Sequence, residues 1–322
     1  MSREAALARL EADAVFVHQT LPATPQYAWP LLARRAGCEV WLKHENHLPI
    51  GAFKVRGGLT YLRELRARQP EVRGVVTATR GNHGQSIPFA ARRAGIAATV
   101  VVPFGNSVEK NAAMRALGAK LVEHGRDFQE AFEHAQELAK SEELHFVPSY
   151  HEWLVRGVSS CALELLRAAP ELDVLYVPIG MGSGVCGAIR VREALGLRTR
   201  IVGVVAEQAP TVALSFAAGR PVPTQTSDTI ADGLAVRVPN AEALEAMRGG
   251  LERVLQVSEA EIRSAMRALF SDTHNAAEGA AAAAFAACLR ERESLAGKRV
   301  GVVLSGGNVD RELFARVLAE KE

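Results

Sequence analysis

The sequence predicts an α/β protein of two lobes, each built on a parallel-type sheet covered by helices. Short β-branched runs alternate with longer Ala/Arg/Leu/Glu segments of helical period. Apolar strands separated by helices are the mark of parallel sheets buried on both faces. A chain of 322 residues is also long for a single core, which favours two lobes over one. Hydrophobic residues make up 48% and charged residues 23%, so the material for such cores is there.

Taken in order, strands are expected at 39–43, 74–78, 98–102, 120–123, 174–177, 201–206 and 299–304. Helices are expected between them at 84–94, 107–117, 127–141, 158–169, 184–195 and 277–292. No repeat, low-complexity tract or Pro/Gly/Ser hinge marks a boundary between the lobes.

Composition removes several classes of function. A net charge of +2 is too mild for a nucleic-acid partner, and no basic run is interleaved with aromatics. Cys38, Cys161, Cys186 and Cys288 lie far apart with no CxxC pair, which fits reduced thiols in a cytosol. The opening MSREAALARLEADAVF carries charges every few residues, so it reads as neither signal peptide nor anchor. No stretch approaches the roughly 20 apolar residues of a membrane span. A cytoplasmic protein without membrane partners is expected.

In open α/β sheets, ligands bind beyond the C-terminal ends of strands, where loops meet helix N-termini. Four segments have that character: the one around Lys54, TRGNHGQ at 79–85, GMGSG at 180–184 and SGGN at 305–308. Lys54, in ENHLPIGAFKVRGG, can form a Schiff base with an aldehyde cofactor once its pKa is lowered. A lone lysine at a helix start is ordinarily only solvated. In TRGNHGQ the backbone N–H groups suit a carboxylate, and Asn82 offers an amide to a ring hydroxyl with His83 beside it. A capped turn would use the same letters. GMGSG follows VLYVP and suits a phosphate, since glycines let the backbone approach and the helix start is electropositive. Gly182, Gly184 and Gly187 also spell GxGxxG, with Glu207 about 20 residues on, so an NAD-dependent dehydrogenase stays open on this loop alone. Ser305 ends VGVVL, where a hydroxyl suits a heterocyclic nitrogen, although SGGN alone also reads as a turn.

Together the four resemble the fold-type II pyridoxal 5′-phosphate (PLP) enzymes, and within them the serine/threonine dehydratase branch. That branch reads roughly ENxxxTGSFKxRG, then SxGNHxQ, a glycine-rich phosphate loop, and SGGN near the C-terminus. The resemblance runs over roughly residues 20 to 310 and includes Thr24-Pro25, DTIADG at 228–233 and Glu278-Gly279. NAD needs neither Lys54 nor Asn82 nor Ser305, so the conjunction decides against a dehydrogenase. The resemblance implies a tryptophan synthase β-like fold, with PLP between a large lobe of 1–57 and 153–322 and a small lobe of 58–152. It implies that Lys54 carries PLP, that Phe53 and Asn82 flank the ring, and that Ser305 faces the ring nitrogen. Gly180, Met181, Gly182, Ser183 and Gly184 would hold the phosphate, and Glu278 would join the cofactor contacts. Thr79, Asn82 and His83 would present the substrate carboxylate site, and Arg80, which the family pattern does not supply, is placed beside them as a candidate substrate contact. The implied reaction takes L-threonine or L-serine to a 2-oxo acid and ammonia. Lys54 removes the α-proton, PLP is the electron sink, and Ser183 assists loss of hydroxide. Family habit implies a homodimer.

Several positions depart from the pattern. Arg80 stands where racemising relatives carry serine, and arginine is a poor base, so little racemase activity is expected. It reads either as a structural ion pair at the lobe interface or as a fork for an acidic side chain, such as that of 3-hydroxyaspartate. The alternative substrates are thus 3-hydroxyaspartate and phenylserine. His83 disfavours β-replacement, and the intact Lys54 disfavours a non-catalytic sensor. Ala52 replaces the usual serine, while Met181 and Ser183 interrupt the glycine run. A divalent cation, bound by some relatives, would need Glu207 and an aspartate where this chain has Ala213, so no specific metal is expected. The chain ends soon after SGGNVD, so an effector domain and inhibition by isoleucine are not expected.

Overall fold

The computed structural model describes residues 2–321. Its strands are β1 (Gln26–Ala28), β2 (Glu39–His44), β3 (Gly74–Ala78), β4 (Ala97–Val102), β5 (Lys120–Glu123), β6 (His145–Phe146), β7 (Val174–Pro178), β8 (Arg200–Ala206), β9 (Arg253–Val257) and β10 (Arg299–Leu304). They form two sheets, of order β1-β2-β10-β7-β8-β9 and β5-β4-β3-β6. The smaller sheet takes consecutive chain, and the larger takes the segments on either side of it. All pairings are parallel except that of β1 with β2. The parallel-type sheets expected from the sequence are thus present, with one antiparallel edge where a short strand turns back beside β2.

The central strands are buried along almost their whole length, as GVVTA of β3 and RVGVVL of β10 require. The helix Gly279–Arg290 lies across β7, β8 and β10 with every residue from Gly279 to Cys288 buried. Its AAAAA run keeps strong helix propensity while adding little bulk, so the helix sits close on the sheet. Side chains fix the helix starts that follow loops. Ser107, Asp127, Asn240 and Ser258 each accept a backbone N–H of the first turn. All seven expected strands are present, and three unexpected ones join them: β1, β6 and β9. The four cysteines are free and buried. No helix among the described residues is long and apolar enough to cross a membrane.

The helices Lys54–Arg68 and Glu152–Ala168 cross beneath the cleft between the sheets. A Cβ at Gly157 would lie 2.2 Å from the Arg56 carbonyl oxygen, so the crossing needs glycine there. Beside it Arg56, fully buried, donates Nε to Glu45 Oε2 at 2.6 Å and Nη1 to Glu164 Oε1 at 2.5 Å. Its Nη2 reaches the other oxygens of both carboxylates, at 2.9 and 3.0 Å. Lys43, on β2 and also fully buried, donates to Glu164 Oε2 at 2.6 Å. Burial pushes the Glu164 carboxyl up, but Arg56 and Lys43 outweigh it and hold the pKa at about 2.

Removing one partner of such a network leaves a buried charge uncompensated. Arg56→Met is therefore expected to lower the unfolding free energy by about 3–5 kcal/mol in urea titration. Glu164 has a depressed folded pKa, so its contribution is full above its ordinary value of 4.5 and is lost as pH falls towards about 2. A loss below about 1 kcal/mol for Arg56→Met would show that the network does not hold the crossing.

Candidate active site

Four loops converge where the strands end. Ser305 follows β10, the GMGSG loop follows β7, and TRGNHGQ follows β3. Lys54 opens its helix directly opposite Ser305. The backbone ties these two segments together: Phe53 N–H donates to Ser305 O at 3.0 Å, and Gly307 N–H donates to Gly51 O at 2.9 Å. The resulting cleft is lined by Phe53, Lys54, Thr79, Arg80, Asn82, His83, Gly180, Met181, Glu278 and Ser305. Gly182, Ser183 and Gly184 stand just behind that wall. Ser183 Oγ lies 3.2 Å from Lys54 Nζ, and a Cβ on Gly184 would touch the Phe53 ring at 3.3 Å.

Lys54 keeps an edge towards the cleft, but its amine lies among protein atoms. Burial lowers its pKa to about 8, and the Glu278 carboxyl opposes the shift. A substantial share of such an amine is neutral near physiological pH. Ser183 begins the helix Ser183–Leu195 and Gly182 precedes it at φ +101°, a conformation that favours glycine. The first N–H groups of that helix have no intrahelical partners, and its first residue, Ser183, lies beside Lys54.

The Asn82 amide is fixed at both ends. Asn308 Nδ2 donates to the Ile50 carbonyl at 2.7 Å and to Asn82 Oδ1 at 2.8 Å. A carbonyl only accepts, so Asn308 must present its donor end to Asn82. Asn82 Nδ2 then donates to Glu278 Oε1 at 2.7 Å, and its second N–H remains for an acceptor in the cleft.

The other expected residues have distinct surroundings. Thr79 is buried, and its Oγ1 accepts the Gly81 N–H at 3.0 Å, which shapes the loop. His83 is also buried. Burial and the nearby Lys54 hold its pKa near 3 against a backbone bond at Val147, so it sits in the site as a neutral imidazole. Arg80 has no carboxylate partner among the described residues, and its Nε is buried without a hydrogen bond. The structural ion pair weighed for Arg80 is thus corrected: two carboxylates that line the cleft are taken by other cations, Asp127 by Arg237 and Asp232 by Lys110. Glu207 accepts Arg290 at 3.1 Å, well outside the cleft lining.

Three contributors were not singled out in the sequence. Asn308 lay within SGGN but had no role assigned. Asp232 lay within DTIADG, and Lys110 lay in no motif. Only their partners, more than a hundred residues away, give them meaning.

The sequence profile of the pyridoxal-phosphate dependent enzyme family matches residues 17–306. The L-threonine ammonia-lyase of Thermotoga maritima is 32% identical over 289 residues, which cover 89% of this chain and 72% of that protein. The L-threo-3-hydroxyaspartate ammonia-lyase of Saccharomyces cerevisiae is 31% identical, covering 93% of this chain and 92% of that one. Among solved structures, the processed threonine deaminase isoform 2 of Solanum lycopersicum superposes with TM-score 0.90 at 26% identity, over 98% of this chain and 94% of that one. A pyridoxal 5′-phosphate-dependent aspartate racemase superposes with TM-score 0.89 at 30% identity, over 95% and 96%. With its cleft, a buried lysine whose pKa is lowered to about 8, and a profile match across nearly its whole length, this chain belongs to the pyridoxal-phosphate dependent enzymes.

Proposed function

We propose that the chain is an ammonia-lyase that converts a short β-hydroxy L-amino acid, L-threonine or L-serine, to a 2-oxo acid and ammonia. The observation that carries this reading is the buried Lys54 amine, with Ser183 at 3.2 Å and a free Asn82 N–H in the same cleft. The residues fit pyridoxal phosphate on their own chemistry. A lysine with a pKa near 8 suits an aldehyde, the start of the helix Ser183–Leu195 suits a phosphate, and the Asn82 N–H suits a ring oxygen. Gly180, Met181, Gly182, Ser183 and Gly184 would hold the phosphate, Phe53 would pack beside the ring, and Ser305 would meet its nitrogen.

The bound cofactor supplies an electron sink for the bonds of the α-carbon. The protein's part is to orient and to move protons. Lys54, once its amine is free, would take the α-proton, and burial lowers its pKa to about 8, so more of it is neutral and able to accept a proton than for an exposed lysine. Ser183, at hydrogen-bond distance from the amine, is placed to pass a proton towards the leaving hydroxide. Ser305, an uncharged hydroxyl, would meet the ring nitrogen without a carboxylate's charge to hold a proton there. Thr79, Asn82 and His83 shape the loop whose N–H groups meet the substrate carboxylate. The division into lobes at 57/58 and 152/153, and a homodimer, belong to the same reading; light scattering tests the second.

A second reading changes only the substrate. An unpaired guanidinium in a partly closed cleft calls for an anion, and Arg80 is in that position. An acidic substrate such as 3-hydroxyaspartate would meet the demand. A hydroxyaspartate lyase among the relatives and an aspartate racemase among the structural neighbours support it.

The purified protein is expected to absorb in the visible and to lose its colour with hydroxylamine. Lys54→Ala is expected to abolish turnover, and retained activity would remove the lyase reading. The substrate is settled by 2-oxo acid and ammonia release from threonine, serine, phenylserine and both 3-hydroxyaspartate diastereomer pairs. For an acidic substrate, Arg80→Ala should raise KM by about 10–100-fold, the worth of one charge-assisted bond, while threonine changes by less than about threefold. An equal loss on both would mean that Arg80 grips the α-carboxylate common to all amino acids.

A further inference from the structure

Lys110 belongs to the small-lobe helix Val108–Ala116, yet its amine ends among carboxylates of the large lobe. It is 5% exposed, donates to Asp232 Oδ2, and stands 3.8 Å from Glu278 Oε2. The same segment makes further bonds across the cleft. Ser107 Oγ donates to Asp310, and Glu109 accepts the Arg311 N–H at 3.0 Å. Lys110 therefore reaches Glu278 because the lobes are together.

Glu278 has one oxygen spoken for and one not. Oε1 accepts the Asn82 N–H at 2.7 Å, whereas Oε2 is buried with no hydrogen-bond partner. A carboxylate in that state keeps its charge only where a cation compensates for lost water. Lys110 and Lys54 are the cations facing it, and Asp232 opposes them. Burial pushes the Glu278 carboxyl up to about 7 while Lys110 pulls it down, so a change in either neighbour alters its charge near neutral pH. Lys110 itself stays cationic, because Asp232 and Glu278 outweigh its burial.

We propose that Lys110 is a positioning residue for the lyase reaction: its reach across the cleft to Glu278 favours the carboxylate form of that group and thereby holds Asn82 as a donor to the cofactor ring. An ionised Glu278 is a strong acceptor that locks one Asn82 N–H and polarises the other. A protonated Glu278 needs an acceptor of its own, and it competes for the groups that orient Asn82. The inference rests on the pyridoxal-phosphate reading only for what Asn82 touches. The charge state of Glu278 is measurable without turnover.

The test is an infrared pH titration of the carboxylic-acid band in the cofactor-bound protein, with Glu278→Gln assigning the band. Lys110→Met is expected to move its midpoint up by about one pH unit or more, since a nearby cation is removed. Lys110→Arg should bring it back to within about half a unit of wild type. Asp232→Asn should move it the opposite way, downwards, which general destabilisation would not do. The acid-side midpoint of kcat should follow the same shifts and be unmoved by Lys110→Met in the Glu278→Gln background. An unshifted infrared midpoint in Lys110→Met, a shift of the same sign in Asp232→Asn, or a kcat shift that persists without Glu278 would each overturn the proposal. Loss of cofactor colour with the infrared shifts intact would overturn the catalytic reading instead and leave the charge relay standing.

Discussion

Everything in the cleft depends on the angle and depth at which one helix leaves it, and Arg56 sets both. Lys54 is the first residue of that helix and Arg56 the third. The guanidinium forks onto Glu45, just past the end of β2, and onto Glu164 of the crossing helix. Lys43 of β2 closes the ring through Glu164. Apolar packing alone would hold the crossing but leave it some freedom to slide, because burial is not directional. Planar, charge-assisted bonds to two carboxylates remove that freedom, and a lysine's single ammonium would not reproduce the fork. The amine two residues earlier is thus delivered to a defined point, while burial of the same region supplies its lowered pKa.

Much of this was legible in the sequence, for a physical reason. Buried strands leave continuous apolar runs such as VLYVP and VGVVL, and six of the seven strands legible to within a residue are of this kind; the seventh, β5, is a half-exposed edge. The strands that went unseen are a three-residue edge (β1), a two-residue edge (β6), and RVLQV at the far edge of the large sheet, where only Val257 is fully buried. Edge strands are half-solvated, so their letters carry little of the apolar signal. The helix at 158–169 was expected to begin six residues late. His151, whose ring accepts the Trp153 N–H at 3.1 Å, caps it at Glu152, and histidine is not a usual starting signal.

The site was legible where chemistry is concentrated in contiguous letters. A lysine before a helix, a glycine turn before another and an Asn-His pair after a strand each point to one ligand part. What could not be read was pairing. Nothing in the letters shows that Asn308 orients Asn82, that Lys110 crosses to Asp232, or that Arg80 is left over when other charges have paired. Those facts arise only from the relative placement of two sheets, and they bear on selectivity rather than on reaction class.

The two halves of the cleft are held by bonds of different kinds. On the side of the large sheet, Lys54 and Ser305 are registered by backbone hydrogen bonds between 51–53 and 305–307. That geometry persists as long as the sheet does. On the side of the small sheet, Asn82 meets the other half of the cleft through side chains alone, by way of Asn308 and Glu278, and Arg80 meets no carboxylate among the described residues. Side-chain bonds of this kind contribute about 0.5–3 kcal/mol each, well within what a bound substrate can supply or withhold. The division of labour follows directly. Lys54 and Ser305 stand where backbone hydrogen bonds fix the geometry, and Asn82 and Arg80 stand where only side chains, or no partner at all, fix it.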